Sequence, residues 1–305
     1  MKVASNPVIF DRLLLRRRLQ RAQVQGPVTF LIERVAAELT ERLSLVQRSF
    51  TLAVDLGTPS AHLRDALRAQ HLASRVIGAV PVMPSAPDLP PDLPIVVADE
   101  EALPFAEGAL DLVVSALALQ WVNDLPGTLA QVRKALKPDA LFLAVLAGGE
   151  TLTELRQSFA EAEAEIDGGV SPRIAPFADL RDLGGLLQRA GFALPVTDVD
   201  RLTIRYATPL HLLRDLRGMG ATNVMTERRR VSLKRTTLLR MAEIYAERFA
   251  DPDGRVRATV DLVWLSGWTP HESQQQPLKP GSAQSRLADA LGTREFGTRE
   301  FGRRE

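Results

Sequence analysis

Five short, almost unbroken apolar runs recur through the first half of the chain: "TLAVDL" at 51–56, "VIGAV" at 76–80, "IVVAD" at 95–99, "LDLVVSAL" at 110–117 and "ALFLAVLA" at 140–147. They lack the alternation of a strand with one wet face, and their length suits strands better than helices, so they predict parallel strands covered on both faces. Between them lie segments of helical period, 61–72 with Leu63, Ala66 and Leu67 directed inward, and "PGTLAQVRKAL" at 126–136. Alternating strand and helix points to an α/β fold with a doubly wound sheet.

The flanking segments extend this pattern. Residues 28–44 place Phe30, Ile32, Val35, Leu39 and Leu43 on one face of an amphipathic helix. Residues 151–165 and 178–190 read as helices, "VTDVDRLTIRY" at 196–206 as an alternating strand, and 209–249 as helical before a last strand at 256–268. Six prolines between 81 and 94 forbid regular structure there. The expected organisation is an N-terminal helical segment at 1–48, a main domain at 49–270 with a helical insert at about 208–250, and a polar tail at 271–305. That tail carries the repeat "GTREF" at 292–296 and 297–301 and is expected to be disordered.

Composition narrows the function classes. The 305 residues include 38 Lys and Arg against 37 Asp and Glu, so no overall charge favours nucleic acid as a partner. Cysteine is absent, which removes thiolate metal sites and a cysteine nucleophile and agrees with a cytoplasmic location. The longest apolar stretches are too short or too polar to span a bilayer, leaving peripheral membrane association open. The arginine-rich "FDRLLLRRRLQRAQ" at 10–23 reads as a folded first helix rather than a transit peptide. The four histidines form no two-histidine, one-carboxylate iron pattern, and no metal site or catalytic residue is assigned.

Three strings carry a resemblance: "DLG" after the first strand, the long segment from "VVADEEALPF" through "LALQWVNDLPG" to "GGETLTELR", and "GWTPHESQQQPLKPGSA". Together they resemble class I S-adenosylmethionine-dependent methyltransferases over about residues 8–283. The nearest subgroup contains the malonyl-carrier-protein O-methyltransferase of the biotin pathway and a respiratory complex I assembly factor that hydroxylates an arginine. "IFDRLLLRRRLQRAQ" and "LALQWVNDLPG" are more similar to the assembly-factor branch. The resemblance implies a Rossmann-like, seven-stranded methyltransferase sheet.

It also implies a set of site residues. Asp55 and Gly57 match the start of the family's acid-x-Gly-x-Gly-x-Gly loop, but Pro59 and Ala61 replace its second and third glycines. Pro59 has no N–H to offer, and Thr58–Pro59 suits a helix start. Ala79 or Val80 stands where relatives place an acid for the ribose hydroxyls, a loss of about 1–3 kcal/mol in binding. Asp99 matches the acceptor of the adenine amino group, and Glu100 offers its backbone N–H to the ring. Gln120 and Trp121, after the fourth strand, are the substrate-side candidates; Asn123 or Asp124 is expected to cap the next helix. The basic clusters at 16–18 and 227–235 are expected to be solvated, with docking of a carboxylate or an acidic partner as the functional alternative.

The implied cofactor is S-adenosylmethionine, with binding predicted to be weak, or lost in a scaffold. Three readings stand: a complex I assembly protein that hydroxylates an arginine of a respiratory subunit, a methyltransferase acting on a small carboxylate or acyl-carrier substrate, and a non-catalytic scaffold.

Overall fold

The computed structural model describes residues 7–84, 94–275 and 292. The apolar runs form β1 (Phe50–Leu56), β2 (Ala73–Val80), β3 (Ile95–Val97), β4 (Leu110–Ala116) and β5 (Leu136–Gly148), joined by β6 (Ala193–Tyr206) and β7 (Val256–Trp268). They build one seven-stranded sheet in the order β3-β2-β1-β4-β5-β7-β6. β1 to β5 pair in parallel, whereas β7 runs antiparallel to both β5 and β6. This is the α/β sheet that the apolar runs and the family resemblance led us to expect.

Two apolar layers hold the helices to the sheet. On one face α2 (Phe30–Ser44) and α3 (His62–Ala69) bury Val35, Leu39, Leu63 and Leu67 against Leu112, Val114 and Trp264. On the other, α4 (Leu125–Ala135) and α6 (Leu180–Arg189) bury Leu129, Val132, Leu183 and Leu187 against Phe142 and Val263. Each fully buried aliphatic side chain contributes about 1.5–3 kcal/mol, so this two-sided burial dominates the stability of the body.

The inward face of α3 differs from expectation. Its buried residues are Leu63, Arg64 and Leu67, while Ala66 is only partly covered. The insert also departs from a continuous helix, because α7 (Pro209–Gly218) and α8 (Arg235–Phe249) are separated by irregular chain. Gly220 there has φ +72° and lies against Leu19, a conformation and a closeness that interrupt the helix. α8 packs on α5 (Thr153–Asp167) through Leu155, Phe159, Met241 and Tyr245.

The arginine-rich N-terminal segment is α1 (Arg12–Gln25), capped by the Asp11 carboxylate, which accepts the Leu14 N–H at 2.9 Å. Phe10 and Leu15 pack with Val224 and Met225 beyond α7, and Phe10 bridges to Met225 in an antiparallel pair. The described residues up to Pro270 form one compact unit. The repeated "GTREF" lies outside the described residues apart from Gly292.

Candidate functional site

The carboxyl ends of β1 and β4 adjoin where the strand order reverses, the crevice in which open α/β sheets bind ligands. Asp55, next to last in β1, is completely buried, and both its oxygens are engaged. Oδ2 accepts from Arg64 Nη1 at 2.7 Å, and Oδ1 accepts from the Thr58 hydroxyl. The same hydroxyl accepts the Ala116 N–H at 3.0 Å, tying the turn to the end of β4. Burial pushes the Asp55 carboxyl up to about 6, although Arg64 and Thr58 pull the other way.

The turn itself is tight. Gly57 has φ +75°, and a Cβ there would stand 2.5 Å from Glu100 Oε1 and 2.8 Å from the Ala118 Cβ. Only glycine satisfies both demands. Across β2, the aliphatic part of Arg64 lies over Gly78, where a Cβ would meet Arg64 Cδ at 2.9 Å. Arg64 is 1% exposed, and its Nε has no partner.

Beyond β3 a second carboxylate group is assembled. Asp99 Oδ1 accepts the Glu101 N–H at 3.0 Å and Arg12 Nη2 at 2.9 Å, while Oδ2 accepts Arg16 Nη2. Arg12 also donates to the buried Glu100 carboxylate and, through Nη1, to the Trp121 carbonyl at 3.1 Å. Burial disfavours the charged Asp99, but the Glu101 N–H and the two arginines outweigh it and hold its pKa below the ordinary value. For Glu100 burial prevails over Arg12 and raises the pKa. Arg16 is thus an ion-paired residue of the site and departs from the solvated face expected of its cluster. Arg228 pairs with Asp11, and Arg229 and Lys234 pair with Asp167, so the second basic cluster is also partly engaged.

After β4, Leu117 adopts φ 52° and the chain turns through Leu119–Trp121. Gln120 donates from Nε2 to the Leu117 carbonyl at 2.8 Å, while its buried Oε1 has no partner. Trp121 meets Phe10 edge to face, with ring centroids 5.7 Å apart. Asp124 caps α4 by accepting the Gly127 N–H at 2.9 Å, as expected for that pair. Asn123 instead accepts the Ile9 and Phe10 N–H groups at 2.8 and 2.7 Å and fastens the chain leading into α1.

Two cavities remain around these groups. One of about 140 Å³ is lined mainly by apolar side chains and includes Leu15, Gly57, Gln120, Trp121, Leu152 and Tyr206 in its wall. A second of about 320 Å³ is bounded by Thr58, Pro59, Ser60, Arg64 and Val80, with Pro59 and Ser60 common to both. Gly57, Glu100, Gln120 and Trp121 line the first cavity, whereas Asp55 and Asp99 line neither. Sequence reasoning missed Arg12 and Arg64 and expected Arg16 on a solvated face; the signal for Arg64 was a charge beside Leu63 on an apolar helix face, opposite a glycine in the next strand.

S-adenosylmethionine brings an α-ammonium and a sulfonium, two cationic groups, together with ribose hydroxyls that seek an acceptor. Here the Asp55 carboxylate is closed off by Arg64 and Thr58, and β2 ends in buried Ala79 and Val80. Asp99 already holds two guanidinium groups. The acceptors that the resemblance assigns to the cofactor's ammonium and adenine are thus engaged by arginines of the chain itself.

Residues 54–144 match the Methyltransferase domain family. The "Arginine-hydroxylase NDUFAF5, mitochondrial" of Danio rerio is 40% identical over 293 residues, covering 92% of this chain and 89% of that protein. The chain belongs to the class I S-adenosylmethionine-dependent methyltransferase superfamily. Within this superfamily the human NDUFAF5 is 40% identical over 285 residues, covering 90% of this chain and 81% of its own length. The malonyl-[acyl-carrier protein] O-methyltransferase of Laribacter hongkongensis is 32% identical over 287 residues, covering 89% and 94%. A Bacillus halodurans protein assigned as a methyltransferase shares the methyltransferase fold with a TM-score of 0.52 at 14% identity, covering 77% of this chain and 99% of its own.

The cytoplasmic location expected from the sequence is corrected by these comparisons, since the NDUFAF5 relatives are named as mitochondrial proteins. Cysteine content and hydropathy report redox exposure and membrane crossing, and neither carries an organelle address. Among the described residues no helix is long and apolar enough to cross a membrane.

Proposed function

We propose that this methyltransferase-fold protein assists respiratory complex I assembly by hydroxylating an arginine side chain of a protein subunit. The observation that carries the reading is the 40% identity to the arginine hydroxylase NDUFAF5 over nine-tenths of the chain, against 31–34% for malonyl methyltransferases. The crevice offers an unengaged acceptor for a guanidinium, the buried Gln120 Oε1 in the cavity wall.

In this reading the 49–270 body carries the sheet, while 1–48 and the insert at about 208–250 cover the crevice, with Gln120 and Trp121 on the substrate side. Hydroxylation inserts one oxygen atom of dioxygen into a C–H bond, and two protons and two electrons from an external reductant carry the other oxygen to water. The protein's part is to orient the arginine and exclude water. The balance does not require S-adenosylmethionine, and the altered loop with Pro59 and Ala61 makes its binding weak at best.

Intact-mass measurement of complex I subunits from a strain lacking this gene tests the proposal. The expected result is one subunit lighter by a single oxygen atom, restored by complementation. A deficit of one methylene would favour methyl transfer, and unchanged masses with defective assembly would favour the scaffold; either overturns the hydroxylase reading.

A further inference from the structure

We infer that Arg64, by holding Asp55 in a closed pair, takes away the carboxylate that would receive the α-ammonium of S-adenosylmethionine, so that this chain works without that cofactor. Arg64 is 1% exposed, and its guanidinium is paired with an Asp55 that has no exposed surface. The second Asp55 oxygen is taken by Thr58, whose hydroxyl is in turn fixed to the Ala116 N–H. A closed pair of this kind leaves no free oxygen on Asp55 for an incoming α-ammonium, and it sets a guanidinium beside that carboxylate. Like charges in a dry site repel far more strongly than in water.

The same side chain forms part of the wall of the neighbouring cavity of about 320 Å³. Its aliphatic stem rests on Gly78, so near that any Cβ at 78 would collide with it, and the strand then ends in Ala79 and Val80 without an acceptor for ribose hydroxyls. On the other side of the turn, Glu100 Oε1 lies 2.5 Å from where a Cβ of Gly57 would be, so the carboxylate crowds the backbone there. Asp99, at the adenine end, keeps 26% of its side chain exposed. A ligand held only by its adenine would not have its methyl group positioned for transfer. The inference does not depend on arginine hydroxylation: it concerns which cofactor the fold admits, and it holds for the hydroxylase and the scaffold alike.

Calorimetric titration of the full chain with S-adenosylmethionine and S-adenosylhomocysteine tests this directly. The expected result is no saturable heat and no thermal shift up to millimolar ligand; saturable binding by the wild-type chain overturns the inference. Arg64→Ala is expected to gain measurable affinity, at least tenfold above wild type, whereas Arg12→Ala is not. A folded Arg64→Ala protein that still fails to bind, or an Arg12→Ala protein that binds, would place the block elsewhere and overturn the assignment. Should Arg64→Ala fail to fold, the Arg64 Nε–H resonance of the wild-type chain decides. It is expected to exchange slowly and to stay unmoved by millimolar S-adenosylmethionine, and loss of protection on adding the ligand overturns the inference.

Discussion

Two carboxylate–arginine clusters stand side by side at the carboxyl end of the sheet, built from the same chemistry and differing in how they were assembled. The Asp55–Arg64 pair lies within one β–turn–α unit, with partners nine residues apart, and is dry on all sides. The Asp99–Glu100 group is completed across 87 residues by Arg12 of α1, and Asp99 keeps part of its side chain in solvent. The contrast teaches that burial decides the sign of a carboxylate's shift. Desolvation wins at Asp55 and raises it, whereas hydrogen bonds and two arginines win at Asp99 and lower it.

The harshest way to break the comparison is to remove one partner of the dry pair. Asp55→Ala leaves a guanidinium buried without its counter-charge and is expected to cost about 3–5 kcal/mol in urea unfolding. A loss below about 1 kcal/mol would mean that water reaches Arg64.

Opposite pH signatures sharpen it. Because the Asp55 carboxyl rises from 3.8 to about 6 on folding, the native state holds its proton more tightly. Its stabilising contribution is complete below the unfolded value and is lost as pH rises towards 6, a fall of roughly 3 kcal/mol. Asp99 behaves in the reverse sense: its contribution is present above the unfolded value and disappears as pH falls through the lowered folded value. Denaturant curves from pH 3 to 7 are expected to lose the first slope in an Asp55→Asn/Arg64→Met double variant and the second in Asp99→Asn. A double variant that retains the first slope would assign it to another group.

A smaller effect is expected at the outer cluster. Arg12→Ala leaves the Glu100 carboxyl unpaired, but this group neutralises by taking a proton, so the expected loss is about 1–3 kcal/mol by chemical denaturation. A cost equal to that of Asp55→Ala would erase the distinction between the two regions. The smallest effect belongs to the exposed Arg34–Asp200 pair at 3.4 Å, where Arg34→Ala is expected to change stability by less than about 0.5 kcal/mol.

The sequence by itself determined the sheet, the alternation of its elements, the defective glycine loop and the cap at Asp124. Each of these is written in local patterns: apolar runs, helical period, a proline where a glycine is usual, an acid before a helix. The tertiary structure alone decided which cation each carboxylate keeps. An arginine on an apolar helix face reads as an exposed charge until the turn folds it over Gly78 onto Asp55, and the basic run at 16–18 reads as a wet surface until α1 brings Arg16 to Asp99. Apolar burial is a sum over residues and so leaves a trace in the sequence, whereas a buried ion pair exists only once topology brings two distant charges together and excludes the water that would otherwise solvate them.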